Sequence, residues 1–310
     1  MNSKVLVLGY GAVGRATVKL LLEKGYSVTV AQRNPPENLP AGAHFKRCDV
    51  LSVDSVQECL AGFSQLVIAV GFEYKVTIWQ AQWPVTMRNL VNASLKHGLR
   101  VIFVDNLYMY GPQTTPLHEG MELTDHGGKS SVRVEITRIW QDAVNKNGLK
   151  FTALRAPDFF GPKVLLSQLG EVVFGNLAKG GAAQFLIPID QKHDFAYVPD
   201  IARAVHELLE APDSDLGQVW HLPCAPTLSA RQLMELGAHS LGVAPKVMSF
   251  PLWLLRILGL FVPLAKELWE MRFQWDRSYI VDANKFKNRF KFEATPFSVS
   301  VPETARSFKK

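Results

Sequence analysis

The sequence predicts an α/β protein: a doubly wound parallel sheet carrying a smaller, mostly helical C-terminal lobe. Three observations predict it. Short apolar, β-branched runs alternate with segments of helical spacing through the first half of the chain. Glycines stand just after the helical segments, where C-caps belong. Beyond about Pro162 the alternation loosens, and beyond Pro223 the spacing is mostly helical.

Val5–Leu8, Val28–Ala31, Leu66–Val70, Val101–Val104 and Phe151–Leu154 read as strands. They are almost continuously apolar, as strands covered on both faces must be. Gly14–Lys24, Ser55–Ala61, Val85–His97 and Val132–Asn147 read as helices. Ser55 and Glu58 have capping-box spacing, and Gly25, Gly98 and Gly148 close their helices. The stretch "FLIPIDQKHDFAYVPDIARAVHELL" adds one strand, a loop and a helix from Pro199. Residues 1–162, with 185–222 returning to them, are expected to form the first domain. Residues 163–184 and 223–310 form the second lobe, the expected substrate lobe.

The bulk numbers narrow the function. The chain has 310 residues, 47% hydrophobic and 20% charged, with a net charge of +6 and no run of five like charges. That is an ordinary soluble composition, and no nucleic-acid motif accompanies the mild excess of base. Cys48, Cys59 and Cys224 fit no metal-ligand spacing, so reduced thiols and a cytoplasmic location are expected. His118, Glu119, Glu122 and His126 cluster in one loop, again without ligand spacing, and no metal is expected. A first strand a few residues from Met1 predicts no signal peptide. "FPLWLLRILGLFVPL", Phe250 to Leu264, is shorter than the ~20 apolar residues of a spanning helix, so no stable membrane insertion is expected. It reads first as a packed helix, with a membrane-surface or dimer-facing helix as the alternative.

"VLVLGYGAVGRATVKLL" places Gly9, Gly11 and Gly14 between an apolar strand and an amphipathic helix. This is the GxGxxG pattern of a dinucleotide-binding turn. The first glycine permits the turn, the second lets backbone approach a pyrophosphate, and the third lets helix and strand pack closely. Ala12 and Val13 open the helix and join the candidate cofactor residues. The second strand ends in Gln32 and Arg33 rather than in the carboxylate that would hold a ribose 2′-hydroxyl. An arginine there pairs with a 2′-phosphate, so NADP(H) is expected over NAD(H). Arg15 is a second candidate phosphate partner. Asp49 follows the third strand, as an adenine contact or as a loop aspartate.

With these residues in place, the chain resembles the extended short-chain dehydrogenase/reductase superfamily, its NAD-dependent epimerase/dehydratase group. "GYGAVGR" is similar to its dinucleotide turn, with Leu8 where the family has its first glycine. "CDV" resembles the adenine-contact segment, adding Val50 to Asp49. "VIAVG" resembles the strand under the adenosine ribose, adding Val70 and Gly71. "DNLYMYGP" is similar to "SSxxVYG", "LRAPDFFGP" to "LRPxxxYGP", and "HDFAYVPDIARAV" to "RDFxxVxDxAxA". The resemblance implies a Rossmann fold over nearly the whole chain. It also implies a homodimer through Val85–His97 and Val132–Asn147.

In that family a tyrosine, a lysine four residues on and a serine carry the proton chemistry. Counting back from Glu135 in "GGKSSVRVE" puts Gly127 at the tyrosine position and Ser131 at the lysine position, and the serine position is Asn106. No tyrosine lies between Gly111 and Lys150. The chain is thus similar to an atypical subgroup without the dyad. Replacement candidates are Tyr108 or Tyr110 as proton donor, Lys129 as compensating cation and Asn106 as the group orienting a carbonyl. Asp158, Lys163, His193 and Asp194 are expected to be structural first.

The activity expected is an NADP(H)-dependent oxidoreduction of a small carbonyl or sugar-like substrate. The alternatives are an NAD(P)-dependent epimerase or dehydratase, and a non-catalytic NADP(H) sensor.

Overall fold

The computed structural model describes residues 4–185 and 188–309. They fall into two compact units. One comprises residues up to Met109, Leu123–Arg155 and Ile201–Trp220; the other Tyr110–Glu122, Ala156–Asp200 and the residues from His221 onward.

The first unit is built on β1 (Lys4–Leu8), β2 (Ser27–Gln32), β3 (Ala43–Arg47), β4 (Gln65–Ile68), β5 (Arg100–Asp105), β6 (Phe151–Arg155) and β7 (Val219–His221, which ends just inside the second unit). Their order across the sheet is β7-β6-β5-β4-β1-β2-β3. All five pairings among β1 to β6 are parallel. The chain winds outward from β1 on one side and resumes at β4 on the other. The order therefore reverses between β1 and β4, where Leu8 registers with both Ala31 and Ile68. A doubly wound sheet binds ligands at such a reversal, beyond the carboxyl ends of the strands.

Four long helices join these strands: α1 (Ala12–Glu23), α2 (Val53–Leu60), α3 (Val76–His97) and α4 (Gly128–Asn147). Gly98 and Gly148 take the left-handed cap conformation as expected, with φ of 64° and 67°. The core between α3, α4 and the sheet is aromatic. Trp140 stacks on Phe151 at 5.1 Å and Trp83 packs on Phe103 at 5.9 Å. Truncating either buried tryptophan to alanine costs about 3–5 kcal/mol at such sites.

Several boundaries differ from expectation. Helix α3 starts at Val76, not Val85, and runs through Pro84. Proline removes one backbone hydrogen bond, but Trp79, Trp83, Met87 and Leu90 bury one face of the helix on both sides of it and hold it continuous. Helix α4 starts at Gly128 rather than Val132. Helix α2 starts at Val53, and Ser52 caps it by accepting the Ser55 amide. The predicted Ser55–Glu58 box is therefore absent; Ser55 instead offers its hydroxyl oxygen to the Asp49 amide at 2.9 Å.

The second unit holds helix α5 (Val198–Glu210, which passes into the first unit after Asp200), α6 (Ala230–Leu241), α7 (Leu252–Leu258), α8 (Pro263–Glu270), α9 (Asn284–Phe290) and α10 (Phe297–Ser307). Its core gathers Phe160, Phe174, Phe185, Phe195 and Phe297. The strand expected at the start of "FLIPIDQ" is Ala183–Phe185. It pairs with Val247–Ser249, outside the main sheet, while Leu186 and Ile187 lie outside the described residues. The packed helix expected over 250–264 is instead two short helices and the turn between them, with Trp253, Ile257, Leu258, Leu260, Phe261, Val262 and Leu264 in solvent. No described helix is long and apolar enough to cross a membrane. The three cysteines are free thiols.

The capping reassignment has a direct test. Ser52→Ala should lower stability by about 1 kcal/mol, the usual worth of a serine N-cap, while Glu58→Ala should change it by a few tenths only. Urea unfolding followed by circular dichroism measures both.

Candidate functional site

Strand β1 delivers the chain into the turn Gly9–Gly14, and the backbone there leaves no choice of residue at two positions. Gly9 has φ +94°, and a Cβ on it would lie 2.7 Å from the Ala69 carbonyl oxygen beside β4. A Cβ on Gly14 would lie 2.0 Å from the Gly9 carbonyl oxygen. These two glycines bring α1 hard against β1 and β4. Gly11 differs: a Cβ there would meet nothing within 4 Å, and the residue is exposed. No packing demand of the protein explains it. Gly11 is also the N-cap of α1, and no side chain caps that terminus. The opening amides, with Ala12 and Val13 half-buried behind them, face outward with the helix's partial positive charge. These features fit a pyrophosphate.

The flanking positions are equally specific. The Gly9 amide donates to Ala31 on β2, and the Ala69 amide donates to Leu8 on β1. Gln32 accepts from the Tyr10 amide at 3.2 Å and donates to the Asn34 carbonyl at 2.8 Å, so its side chain ties the turn to the end of β2. Arg33 is exposed and forms no ion pair with a described residue. Asp49 accepts the Leu51 amide at 3.1 Å, as a loop aspartate does. Val50 is buried, and its carbonyl accepts from Asn89 on α3 at 3.0 Å. Val70 is half-buried and Gly71 exposed, just past the end of β4.

Beyond β5 the candidate catalytic residues separate. Asn106 donates its amide to Asp105 at 2.8 Å, and its side-chain oxygen accepts the Tyr108 amide at 3.1 Å. That Asx turn leaves the carboxamide NH2 as its donor. Tyr108 is half-buried and stacks on Trp79 of α3, 6.1 Å between centroids. Tyr110 belongs to the second unit and is wholly buried; its phenol lies 2.8 Å from His221 Nε2. His221 Nδ1 sits 3.3 Å from the Asp282 carbonyl. A neutral ring protonated at Nδ1 satisfies both contacts, with the phenol donating to Nε2.

Lys129 sits in a run, "GGKSS", that reads as a solvated loop. It stands instead in the first turn of α4, fully buried, its ammonium 4.5 Å above the ring of Tyr74. Sequence reasoning missed Tyr74, which lies in the loop between β4 and α3.

It also missed Arg133. This guanidinium is buried on α4, 3.0 Å from the Asp105 carboxylate and 4.1 and 4.6 Å from the rings of Trp83 and Trp79. Burial pulls its pKa down, opposed first by Asp105 and next by the Tyr108 phenol. Asp105 also approaches Arg155 on β6 at 3.6 Å, and Arg155 donates to Thr137 at 3.1 Å. Two residues before Arg133, Ser131 donates to Asp125 and its amide reaches Gly127.

Gly127 has φ +79° and Gly128 φ +47°, a backbone that a tyrosine would occupy only under strain.

In the second unit, His193 lies 3.1 Å from Asp158 and 3.1 Å from the Gln274 carbonyl, sandwiched between Trp275 and Tyr279. Asp194 accepts the Val281 amide at 2.7 Å, and burial raises its pKa. The Lys163 amide donates to Ser307. These contacts tie the four residues into the packing of the second unit. Glu119 accepts the His221 amide, and no cluster among the described residues could hold a metal ion.

No curated protein matches the chain in sequence. Several solved structures share its fold. UDP-N-acetylglucosamine 4-epimerase from Bacillus cereus aligns with a TM-score of 0.79 at 14% identity, covering 98% of this chain and 96% of that one. The UDP-glucose 4-epimerase of Thermus thermophilus, in complex with NAD, gives 0.78 at 19% identity, covering 99% of each chain. DesIV, the dTDP-glucose 4,6-dehydratase of Streptomyces venezuelae, with NAD and TYD bound, gives 0.81 at 16% identity over 99% and 97%. At such identities the likeness is one of fold. The sequence itself goes further: residues 5–222 match the model of the NAD dependent epimerase/dehydratase family. The chain belongs to that family.

Proposed function

We propose that the protein binds a pyridine dinucleotide on the Gly9–Gly14 turn and uses it for reversible oxidation of a sugar-like alcohol, as an epimerase or dehydratase. The observation that carries this reading is Gly11, a glycine the protein's own packing does not require, at the uncapped end of a long helix. Family membership and the nucleotide-sugar enzymes of the same fold support an epimerase or dehydratase over the simple oxidoreduction expected first.

When bound, the dinucleotide supplies the acceptor and donor of hydride. The chain's own residues then divide the remaining work. The amides opening α1 hold the diphosphate. Tyr108 gives or takes the proton at the substrate oxygen. Arg133 stands in for the missing lysine as a buried guanidinium that interacts electrostatically with the Tyr108 phenol. Asp105 and the two tryptophans fix the guanidinium in place. Asn106 orients the substrate oxygen through its NH2 group. Lys129, on Tyr74, adds a second fixed cation to the same unit. Tyr110 is given a structural role, because its phenol is buried and engaged by His221.

A specific observation favours a second reading, a dinucleotide sensor without turnover. The backbone at Gly127 has φ +79°, which a tyrosine in its place would take up only under strain.

For the 2′ end of the cofactor, the family and the NAD-bound structures support NAD(H). Exposed Arg33, beside Gln32 rather than a carboxylate, supports NADP(H), and that is the preference proposed.

Three outcomes are expected. Gly11→Val should weaken binding of both reduced dinucleotides at least about tenfold by calorimetry, because a side chain blocks the backbone's approach to the pyrophosphate. The thermal midpoint of the ligand-free protein should not move. Arg33→Ala should abolish a preference for NADPH of about tenfold or more, the worth of one charge-assisted pair; equal binding of NADH and NADPH by the unaltered protein defeats the argument from Arg33. Tyr108→Phe should cut epimer interconversion of a nucleotide sugar, followed by NMR, about 100-fold with little change in KM. Tight dinucleotide binding with no turnover of any nucleotide sugar establishes the sensor instead.

A further inference from the structure

Helices α7 and α8 form a hairpin whose inner side packs on the second unit's core through Leu255 and Ala265 and whose tip and outer side are apolar and exposed. Trp253, Ile257, Leu260, Phe261, Val262 and Leu264 are all exposed, Leu260 and Phe261 by 77% and 81%. Half of the large hydrophobic side chains exposed among the described residues, eight of sixteen, lie between Met248 and Leu264. Such a density on one short segment marks an interaction surface rather than the usual scatter of single apolar residues. The tip is a tight turn. The Gly259, Leu260, Phe261 and Val262 amides donate back to Leu255, Ile257 and Leu258, so the backbone polar groups there are internally satisfied and the side chains project.

The charges around the hairpin choose its occupant. No aspartate or glutamate occurs between Glu235 and Glu267, in a chain that has 28 of them. Lys246, Arg256 and Lys266 do occur there, and all three are exposed. The next carboxylates, Glu267 and Glu270, are buried and half-buried. A projecting apolar tip, an exposed tryptophan and flanking cations without exposed carboxylates suit an anionic lipid surface. The apolar side chains enter the boundary between headgroups and acyl chains to ~5–10 Å, while the long stems of Arg256 and Lys266 carry their charges to the phosphates. Neither helix is long enough to span, at seven and eight residues.

We infer that the α7–α8 hairpin docks the protein peripherally on anionic membrane surfaces. Cosedimentation of the full chain with phosphatidylcholine vesicles, with and without phosphatidylglycerol, tests this. Binding is expected only to the anionic vesicles, and it should weaken as salt rises. Phe261→Glu should reduce partitioning at least tenfold, and Arg256→Glu with Lys266→Glu by a similar factor, at about fivefold for each basic residue removed. All these positions are exposed, and an unchanged thermal midpoint confirms that the variants fold. Absence of binding to either vesicle overturns the proposal, as does equal binding to both. Light scattering without lipid covers the remaining occupant: a concentration-dependent dimer abolished by Phe261→Glu assigns the hairpin to a second copy and overturns the lipid assignment.

Discussion

One buried carboxylate holds the candidate site together. Asp105 closes β5, takes the Arg133 guanidinium from α4 at 3.0 Å, and faces Arg155 from β6 at 3.6 Å. Three elements of the first unit are thereby tied at one point, all nearly without solvent. Two buried guanidiniums facing no anion would be untenable. Removing one partner of such a set typically costs about 3–5 kcal/mol, because the rest is left charged and unpaired. The same carboxylate also accepts the Asn106 amide, which begins the turn presenting Tyr108. Stability and the placing of the proposed proton donor thus rest on one side chain.

That cluster also explains how a member of this family can depart from its usual residues. A lysine four residues after a tyrosine serves two ends, holding a ribose and lowering a phenol's pKa. Here α4 is capped by Gly127 and starts at Gly128, both of positive φ, a backbone that a tyrosine would take up only under strain. The positive charge is still supplied by α4, from Lys129 and Arg133 on either side of Ser131. Lys129 stands over Tyr74 from the loop after β4, and Arg133 interacts electrostatically with Tyr108 after β5. An arginine keeps its charge in so buried a place more readily than a lysine would, which suits it to this position.

What was legible in the sequence was local. Gly9 and Gly14 are set by the turn's own backbone, and Gly98 and Gly148 by the left-handed caps they adopt, while Gly11 was legible only as part of the GxGxxG pattern. The strand runs were legible because burial on both faces leaves an unbroken apolar pattern. What stayed hidden depends on distant partners. Pro84 looks like a helix start until Trp79 and Trp83 are seen packed on the core before it. Lys129 looks solvated in "GGKSS" until the Tyr74 ring is seen beneath its ammonium. Arg133 carries no mark in "VRVE" that it meets Asp105. The third strand, Ala43–Arg47, lies at the sheet edge with no residue fully buried and so has no apolar run.

The run from Phe250 to Leu264 shows the limit most directly. Hydropathy records that a segment is apolar, not which way its side chains face, and burial in a core is the usual resolution. Here Leu255 and Ala265 alone in the two helices' apolar sets turn fully inward, into the cluster around Phe174 and Phe297. Two helices of two turns each cannot turn every apolar side chain of so dense a run toward one core. Leu252, Leu268 and Trp269 pack part-buried against the same cluster, while Trp253, Ile257, Leu258, Leu260, Phe261, Val262 and Leu264 face solvent or a nonaqueous partner. Water alone would leave several of the chain's largest apolar side chains without the burial that usually accompanies them. The exclusion of carboxylates from the same segment is a second constraint, independent of hydropathy, and the two together specify a surface that is both apolar and negatively charged.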